Sequence, residues 1–259
     1  MRQRLGGVVL ITLAAASSAM AADIGISTTA PPIPIYNWMG LYFGGNIGGG
    51  WSALDETVVI PFAGGAFPAG TSFATNNLSG ILGGVQGGFN WQFNSAWLVG
   101  LEGDYMWADL AGSSTSVSIP SPTVTTAENA KITDIALATA RLGYTMNNWL
   151  FYAKGGGAWG QGSATSGIFR NGTAIDGTSS NTSRTGWTIG AGIEWGFSGF
   201  FKNYSAKIEY NHVDFGTQSV SVYGTSGPIA GTFSTVNGHD TVDIVKAGVN
   251  YRFNIPGMP

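Results

Sequence analysis

The residues best suited to chemistry are charged side chains on the polar faces of predicted β-strands. Successive side chains of a strand point to opposite faces, and several segments of this chain alternate between apolar and polar residues. Five cations and four carboxylates fall on the polar faces: Glu102, Asp104, Arg141, Lys154, Glu194, Lys207, Glu209, Lys246 and Arg252. If these faces enclose one narrow interior, the charges meet as ion pairs and hydrogen bonds. We therefore predict an ion-pair network in the lumen; the alternative is a selectivity constriction that passes small polar solutes.

Catalytic motifs are weak in this sequence. Gly155 to Gly160 satisfies the G-x-G-x-x-G pattern, but it falls inside a predicted strand with no helix after it, so it does not indicate dinucleotide binding. The chain has no Cys and no G-x-S-x-G segment, which excludes a thiolate nucleophile and removes a common serine-hydrolase signature. The sequence therefore predicts neither an enzyme nor a cofactor.

The two histidines are the remaining candidates for chemistry. His212 lies two residues before Asp214, and His239 directly precedes Asp240. A nearby Ser would complete a hydrolase site, and imidazole is also a common ligand of haem iron. The interpretation we favour is that both histidines are polar residues at a rim. Hemin ligation by His212 and His239 is kept as an alternative, and no other metal site is predicted.

The predicted hairpin from Ile81 to Trp107 shows which elements position these residues. In its second strand Val99 and Leu101 lie on one face, and Glu102 and Asp104 on the other. A soluble sandwich would also alternate, so composition decides what the apolar face contacts. Charged residues make up only 10% of this chain, against about 25% in soluble domains. The mature chain also lacks an apolar run of about 20 residues that would form a membrane helix, which leaves a closed β-barrel as the membrane-spanning solution.

Residues 1–21 have the features of a secretory signal peptide. Arg2 and Arg4 precede an apolar run from Val8 to Ala16, and small residues follow at Ala19 and Ala21. Residues 22–37 are rich in Pro and small residues, and we predict a periplasmic N-terminal linker there. Without the two leader arginines, nine of eleven Lys and Arg remain against fourteen Asp and Glu. This acidic balance argues against nucleic acid as a partner.

The connections between the predicted strands alternate in length. Four are long and rich in Gly, Ser, Thr and Asn: 52–78, 108–130, 161–184 and 216–240. Three are short: 94–96, 146–148 and 198–203. This alternation predicts an all-β, eight-stranded antiparallel up-and-down transmembrane β-barrel over residues 38–253, with a C-terminal tail at 254–259. The long loops would be external, and both termini would lie in the periplasm.

Aromatic residues flank the short turns, where a periplasmic girdle belongs. The girdle consists of Trp91, Phe93, Trp97, Trp149, Trp195 and Phe197. Trp51, Trp107 and Trp159 lie at the opposite strand ends, next to long loops. This placement favours a membrane barrel, because a soluble sandwich buries its Trp residues in the middle of strands.

Several strand motifs resemble those of the alphaproteobacterial outer-membrane β-barrel (porin family) proteins, which are OmpA-like small barrels. The motifs are Trp38 to Asn46, Gly80 to Trp91, Ala140 to Tyr144, Tyr152 to Gly156, Lys207 to Tyr210 and Tyr251 to Phe253. The resemblance implies an outer-membrane location, contact with outer-membrane lipid and recognition by the barrel-assembly machinery. Members of this class usually end on an aromatic residue that the machinery recognises. Tyr251 and Phe253 are therefore the candidate assembly signal, although residues 254–259 follow them.

The family that the chain resembles includes surface antigens and hemin-binding proteins, and its motifs identify no ligand. We expect an integral outer-membrane protein of a Gram-negative bacterium with a structural or surface role and a lumen largely filled by ion pairs. Two alternatives are a narrow passive diffusion pore and a hemin-binding or adhesion receptor that acts through the external loops.

Overall fold

The computed structural model describes residues 36–60, 76–117, 124–223 and 233–253. In these ranges the chain forms eight strands: β1 (Gly40–Ile60), β2 (Asn76–Gln92), β3 (Trp97–Val117), β4 (Val124–Met146), β5 (Trp149–Arg170), β6 (Thr173–Gly196), β7 (Tyr204–Tyr223) and β8 (Phe233–Arg252). A three-residue 3-10 helix, Gly199–Phe201, lies between β6 and β7. None of the helical structure in the described ranges is long and apolar enough to span a membrane. The predicted signal peptide (1–21), the linker up to residue 35 and the C-terminal tail (254–259) lie outside the described residues.

The strands close into a ring. Each strand pairs antiparallel with the next one in sequence, and β8 pairs with β1. The closing register runs from Tyr42 opposite Arg252 to Ile60 opposite Thr235. Closure lets the strands satisfy their backbone hydrogen bonds within the ring, which is the condition for crossing a membrane. The predicted all-β, eight-stranded antiparallel up-and-down barrel is confirmed.

Three short connections lie together at what we call the turn end of the barrel. Between β2 and β3, Asn94 Oδ1 accepts hydrogen bonds from the backbone N–H groups of Ala96 and Trp97, both at 2.8 Å. Between β4 and β5, Asn147 has a φ of 56°, a conformation that Asn tolerates better than most residues. The 3-10 helix forms the third connection. All three fall where the sequence predicts short turns.

At the opposite end, which we call the hairpin end, the strands continue further than the sequence predicts. A long loop is predicted over 161–184, but β5 and β6 stay paired as far as Arg170 opposite Thr173. Their turn is Asn171-Gly172, with φ values of 48° and 79°, and positive φ at both turn positions suits the twist of a hairpin. The predicted loop is therefore wrong here. Its small polar residues extend the hairpin through backbone pairing, which composition does not reveal.

The other predicted long loops, at 52–78, 108–130 and 216–240, also start and finish within strands. β1 reaches Ile60, β3 and β4 pair as far as Val117 opposite Thr125, and β7 and β8 pair as far as Tyr223 opposite Phe233. The central parts of these loops lie outside the described residues: 61–75, 118–123 and 224–232.

The outward face of the barrel is apolar between two belts of aromatic side chains. At the turn end Trp97 packs on Tyr144, with ring centroids 5.3 Å apart. Nearer the hairpin end Trp107 packs on Tyr105 at the same centroid distance. Trp97 and Trp107 lie ten positions apart on β3, which gives about 23 Å along the barrel axis for ~3.3 Å per residue and a ~45° tilt. This separation is close to the ~25 Å apolar band of membrane-spanning barrels.

The lumen is packed in four layers from the turn end to the hairpin end. The base layer consists of Tyr36, Trp38, Leu98, Leu150 and Tyr152. The ionic layer consists of the nine predicted charged residues. The apolar layer consists of Leu78, Leu82, Met106, Leu110, Ile132, Ile135, Leu137, Ala158, Val213, Phe215, Val242 and Ile244. The polar cap consists of Ser52, Arg184 and Asp240.

Glycines on the inward face make room for tyrosines that cross the narrow lumen. A Cβ on Gly88 would lie 2.3 Å from the Tyr42 hydroxyl oxygen, and a Cβ on Gly192 would lie 2.5 Å from the Tyr152 ring. Both distances are shorter than any non-bonded carbon contact tolerates. A Cβ on Gly88 would also lie 2.4 Å from the Leu101 carbonyl oxygen, so the backbone as well as the tyrosine favours Gly at this position.

Candidate functional site in the barrel lumen

The residues that precede β1 close the turn end of the lumen. Trp38 is completely buried and Tyr36 nearly so, whereas the sequence predicts a periplasmic linker through residue 37 and a strand from Trp38. The Trp38 carbonyl oxygen accepts hydrogen bonds from Arg252 Nη1 at 2.6 Å and from Asn90 Nδ2 at 3.0 Å. The end of the predicted linker is therefore part of the barrel, because burying two aromatic rings in the lumen is more favourable than leaving them in water.

Glu102 is the centre of the ionic layer. Its carboxylate accepts hydrogen bonds from Lys154 Nζ at 2.7 Å and from the Tyr42 hydroxyl at 2.8 Å. Lys207 Nζ at 3.2 Å and Arg141 Nη1 at 3.3 Å donate to the same carboxylate. All five side chains are buried. Glu102 thus links β1, β3, β4, β5 and β7 across the lumen.

Asp104 and Glu209 extend this network to the remaining lysine. Asp104 contacts Lys246 Nζ and, at 3.1 Å, Lys154 Nζ. Glu209 lies 2.7 Å from Lys154 Nζ and 3.1 Å from the Nζ atoms of both Lys207 and Lys246. Together with Glu102, three carboxylates contact three ammonium groups, and the charges in this part of the layer balance.

Two arginines and one carboxylate form the part of the ionic layer next to the base layer. Glu194 lies 3.7 Å from Arg141 Nη1 and 3.8 Å from Arg252 Nη2. Its Oε1 atom accepts hydrogen bonds from Asn250 Nδ2 at 2.9 Å and from the Ser205 hydroxyl. Both arginine distances exceed the roughly 2.7–2.9 Å of a direct charge-assisted hydrogen bond. Here two cations share one carboxylate at long range.

The structure brings the nine predicted lumen residues into one contiguous set of contacts. Neutral residues that the charge pattern does not predict complete their hydrogen bonds. The Tyr152 hydroxyl donates to Glu209 at 2.7 Å, and Asn90 Oδ1 accepts from Arg141 Nε at 2.9 Å. The same alternation that locates the charges also places these residues inward, so inward polarity, rather than charge alone, would have identified them.

The hairpin-end part of the lumen is apolar, which corrects the prediction of an interior largely filled by ion pairs. On β3 the inward residue after Asp104 is Met106, and on β8 the inward residue before Lys246 is Ile244. Met106 and Ile244 are completely buried. The prediction is too broad because it counts inward charges and leaves out inward aliphatic residues. The ionic layer occupies only the middle of the lumen.

A polar cap lies beyond the apolar layer. Arg184 pairs with Asp240, and Ser52 Oγ donates to Asp240 Oδ1 at 2.9 Å. Asp240 is buried, whereas the sequence indicates only that it is the neighbour of His239. Since these residues come from β1, β6 and β8, they cross-link the wall where the strands leave the apolar layer.

Three carboxylates in the lumen have the spacing of a metal site. Oxygen atoms of Glu102, Asp104 and Glu209 lie within 4.8 Å of one another. Each of these carboxylates already contacts at least one ammonium group of the ionic layer at 3.3 Å or less. The lysines therefore occupy the positions that a cation would take, and the group is explained by ion pairing.

The two histidines lie on the outward face and contact different carboxylates. His212 Nδ1 is 2.8 Å from Asp243 Oδ1, and the Tyr210 hydroxyl donates to the same oxygen at 2.6 Å. His239 Nε2 is 3.7 Å from Asp214 Oδ1. In the described part of the chain these imidazoles bond to Asp and Thr rather than to a Ser hydroxyl. Hemin ligation by the two histidines stays a prediction.

The predicted girdle and assembly residues lie at the turn end. Trp149 and Trp195 face each other across β5 and β6, with ring centroids 6.2 Å apart, and Phe197 packs on Trp195 at 4.8 Å. Tyr251 and Phe253 pack at 5.0 Å on β8 and directly after it. Their use as an assembly signal stays a prediction.

The closed ring of antiparallel strands, its apolar outward band and its packed lumen define a β-barrel protein of the outer membrane. The chain belongs to the outer membrane protein beta-barrel domain family, whose model matches residues 8–253. The 31 kDa outer-membrane immunogenic protein of Brucella melitensis is 31% identical to this chain over 265 residues, which cover 95% of this chain and 99% of the relative. The protein of the same name from Brucella suis matches equally well.

Solved outer-membrane barrels are more distant. OprG from Pseudomonas aeruginosa is 11% identical, with 85% of this chain and 100% of OprG covered and a TM-score of 0.45. The outer membrane protease OmpT from Escherichia coli is 10% identical, with 88% of this chain and 99% of OmpT covered and a TM-score of 0.49. Neither likeness supports an argument about activity.

Proposed function

We propose that this protein is a closed, non-enzymatic outer-membrane barrel with a structural role, which presents its hairpin end at the cell surface. One observation carries the proposal: the described lumen is filled by four consecutive layers. A solute moving along the barrel axis would have to displace Trp38, then separate the pairs around Glu102, and then pass between Met106 and Ile244, all of which are buried.

The ionic layer is a strong barrier because its members hold one another. Lys154 Nζ lies within 3.1 Å of three carboxylates, those of Glu102, Asp104 and Glu209. Removing one partner from a buried ion pair typically costs about 3–5 kcal/mol. Opening a path through the layer would disrupt several such contacts at once, so a narrow passive pore, which is the alternative role of these residues, requires a rearranged interior.

The proposed surface role rests on the length of the strands. From Trp159 in the hairpin-end belt, β5 continues to Arg170 and stays paired with β6. These eleven positions span about 36 Å along the strand at ~3.3 Å per residue. With the turn end in the periplasm, this hairpin projects well outside the membrane. The Brucella relatives are named as immunogenic proteins, which supports surface exposure of the corresponding end here.

The surface role and the orientation are tested by one labelling experiment. An epitope tag is inserted between Asn171 and Gly172 in one variant and between Asn147 and Asn148 in a matched variant at the turn end. We expect antibody to label intact cells that carry the first tag, and to label the second only after the outer membrane is permeabilised. Labelling of the turn-end tag on intact cells, or of neither tag, would contradict the proposed orientation.

A further inference from the structure

The ionic layer contains one more cation than it contains carboxylates. Among the described residues it has five cations and four carboxylates, and all nine are buried. The three lysines are balanced by Glu102, Asp104 and Glu209 at short range. The surplus positive charge therefore lies at Arg141 and Arg252. An unbalanced buried charge is costly, and an arginine does not relieve the cost by losing its proton.

The same two arginines have donors that are not used. Arg141 Nη2, Arg252 Nε and Arg252 Nη2 are buried and have no hydrogen-bond partner in the described part of the chain. Nε and Nη2 of a guanidinium lie on one edge and donate in parallel, which is the geometry that binds an anion with two hydrogen bonds. The indole Nε1 of Trp38 is also buried without a partner among the described residues.

Both arginines lie against the same tyrosine ring and the same carboxylate at the boundary of the base layer. The Cζ atoms of Arg141 and Arg252 lie 4.6 Å and 5.4 Å from the centroid of the Tyr42 ring. Arg252 Cζ is also 5.3 Å from the Trp38 ring. The Glu194 carboxylate lies 3.7 Å and 3.8 Å from the two guanidinium groups. Glu194 Oε2 is also buried without a hydrogen-bond partner in the described part of the chain, so the gap between this carboxylate and the arginines suits a donor such as water. An anion would instead bind on the unused guanidinium donors.

We propose that Arg141 and Arg252 bind a small monovalent anion, of halide or formate size, at the base of the lumen. The anion supplies the negative charge that the ionic layer lacks and accepts hydrogen bonds from the Nε–Nη2 edge of Arg252 and from Arg141 Nη2. A water molecule would accept the same hydrogen bonds but would leave the surplus charge. Trp38 and Tyr36 cover the site at the turn end and exclude bulkier anions.

The anion acts as a structural ligand. Arg141 belongs to β4 and Arg252 to β8, and Arg252 Nη1 also bonds to the Trp38 carbonyl oxygen. A bound anion would therefore connect two sides of the barrel to the residues that close the turn end. The anion site depends on charge balance in the lumen and not on the surface role, so the two proposals can fail independently.

The direct test is crystallography of the full chain refolded into detergent with sodium bromide. We expect an anomalous bromide peak within hydrogen-bonding distance of Arg252 Nε and Nη2. Asn90→Asp should remove this peak, because it adds a carboxylate where Asn90 Oδ1 accepts from Arg141 Nε at 2.9 Å. The substitution also removes the Asn90 donor to the Trp38 carbonyl oxygen, so the structure of the variant must show Trp38 still in place. The control Lys131→Met removes an exposed cation and should leave the peak in place. A wild-type structure with no bromide at the arginines would overturn the proposal.

A second measurement does not depend on crystals. The thermal unfolding midpoint of the wild type in detergent should be higher in sodium bromide or chloride than in sodium gluconate at equal ionic strength, because a ligand that binds only the folded state stabilises it. This difference should shrink in Asn90→Asp and persist in Lys131→Met. Equal anion dependence in the wild type and Asn90→Asp would show that the effect arises elsewhere.

Discussion

Glu102 offers the sharpest perturbation of the ionic layer, because one carboxylate accepts hydrogen bonds from three cations and a tyrosine. The substitution Glu102→Gln keeps the size of the side chain and removes its charge. Lys154 at 2.7 Å, Lys207 at 3.2 Å and Arg141 at 3.3 Å would then face a neutral amide. The amide also brings an N–H donor towards groups that are themselves donors.

The expected loss of stability follows from burial. All of these charged side chains have no exposed surface, and removing one partner of a buried pair costs about 3–5 kcal/mol. Total unfolding free energies are typically only about 5–15 kcal/mol. Glu102→Gln should therefore remove a large fraction of the stability, equivalent to at least about a hundredfold in the unfolding equilibrium constant.

The measurement is equilibrium unfolding of the refolded barrel in detergent against denaturant, analysed by linear extrapolation. Asp109→Asn is the matched control, since it makes the same chemical change on the same strand. Asp109 Oδ1 lies 2.9 Å from Lys131 Nζ, but the two side chains are 67% and 46% exposed. An exposed pair contributes about 1 kcal/mol or less, so the control should unfold nearly like the wild type.

A double variant distinguishes a lost ion pair from general damage. Combining Glu102→Gln with Lys154→Met removes both members of the 2.7 Å pair, so the combined loss should be smaller than the sum of the single losses. If Glu102→Gln costs no more than Asp109→Asn, or if the two lumen substitutions are strictly additive, Glu102 is not the centre of a stabilising ion-pair network.

Three further predictions follow from the packing of the lumen and the rim. Gly88→Ala should prevent normal refolding, because its Cβ would lie 2.3 Å from a buried tyrosine hydroxyl. The control Gly103→Ala should refold normally, since a Cβ there meets nothing within 4 Å. The assay is the yield of folded barrel by electrophoresis without heating. Trp38→Ala should cost about 3–5 kcal/mol by leaving a cavity in the base layer, measured by denaturant unfolding, and an unchanged midpoint would mean that the segment does not pack in the lumen. If the histidines bind hemin, the Soret absorbance on adding hemin should be lost in a His212→Ala, His239→Ala double variant, and a persisting band would exclude both residues.

Much of the fold follows from the sequence because β-structure has a period of two and a membrane imposes sharp limits. The alternation around Glu102 and Asp104 identifies the inward face, and the same rule locates Arg141, Lys154 and the other charges. Short Asn-containing turns mark one end of the barrel. The shortage of charge shows that the apolar face contacts lipid rather than water, so the architecture and the inward charges are accessible from the sequence.

The parts that the sequence does not reveal depend on contacts between distant segments. Trp38 lies next to a Pro-rich stretch, and only the closed ring shows that it enters the lumen to meet Arg252. Met106 and Ile244 follow charged neighbours on the same inward faces, and their common height in the barrel depends on strand register. The small polar residues near Asn171 form a paired hairpin through backbone hydrogen bonds, which side-chain composition does not encode.

The most direct test of a closed lumen is the single-channel conductance of the purified, refolded protein in planar lipid bilayers. A barrel closed by its base, ionic and apolar layers should give no discrete conductance steps above the bare bilayer, under conditions in which a general porin conducts. Reproducible steps of uniform size from the folded wild-type protein would contradict the closed lumen and would favour a narrow diffusion pore.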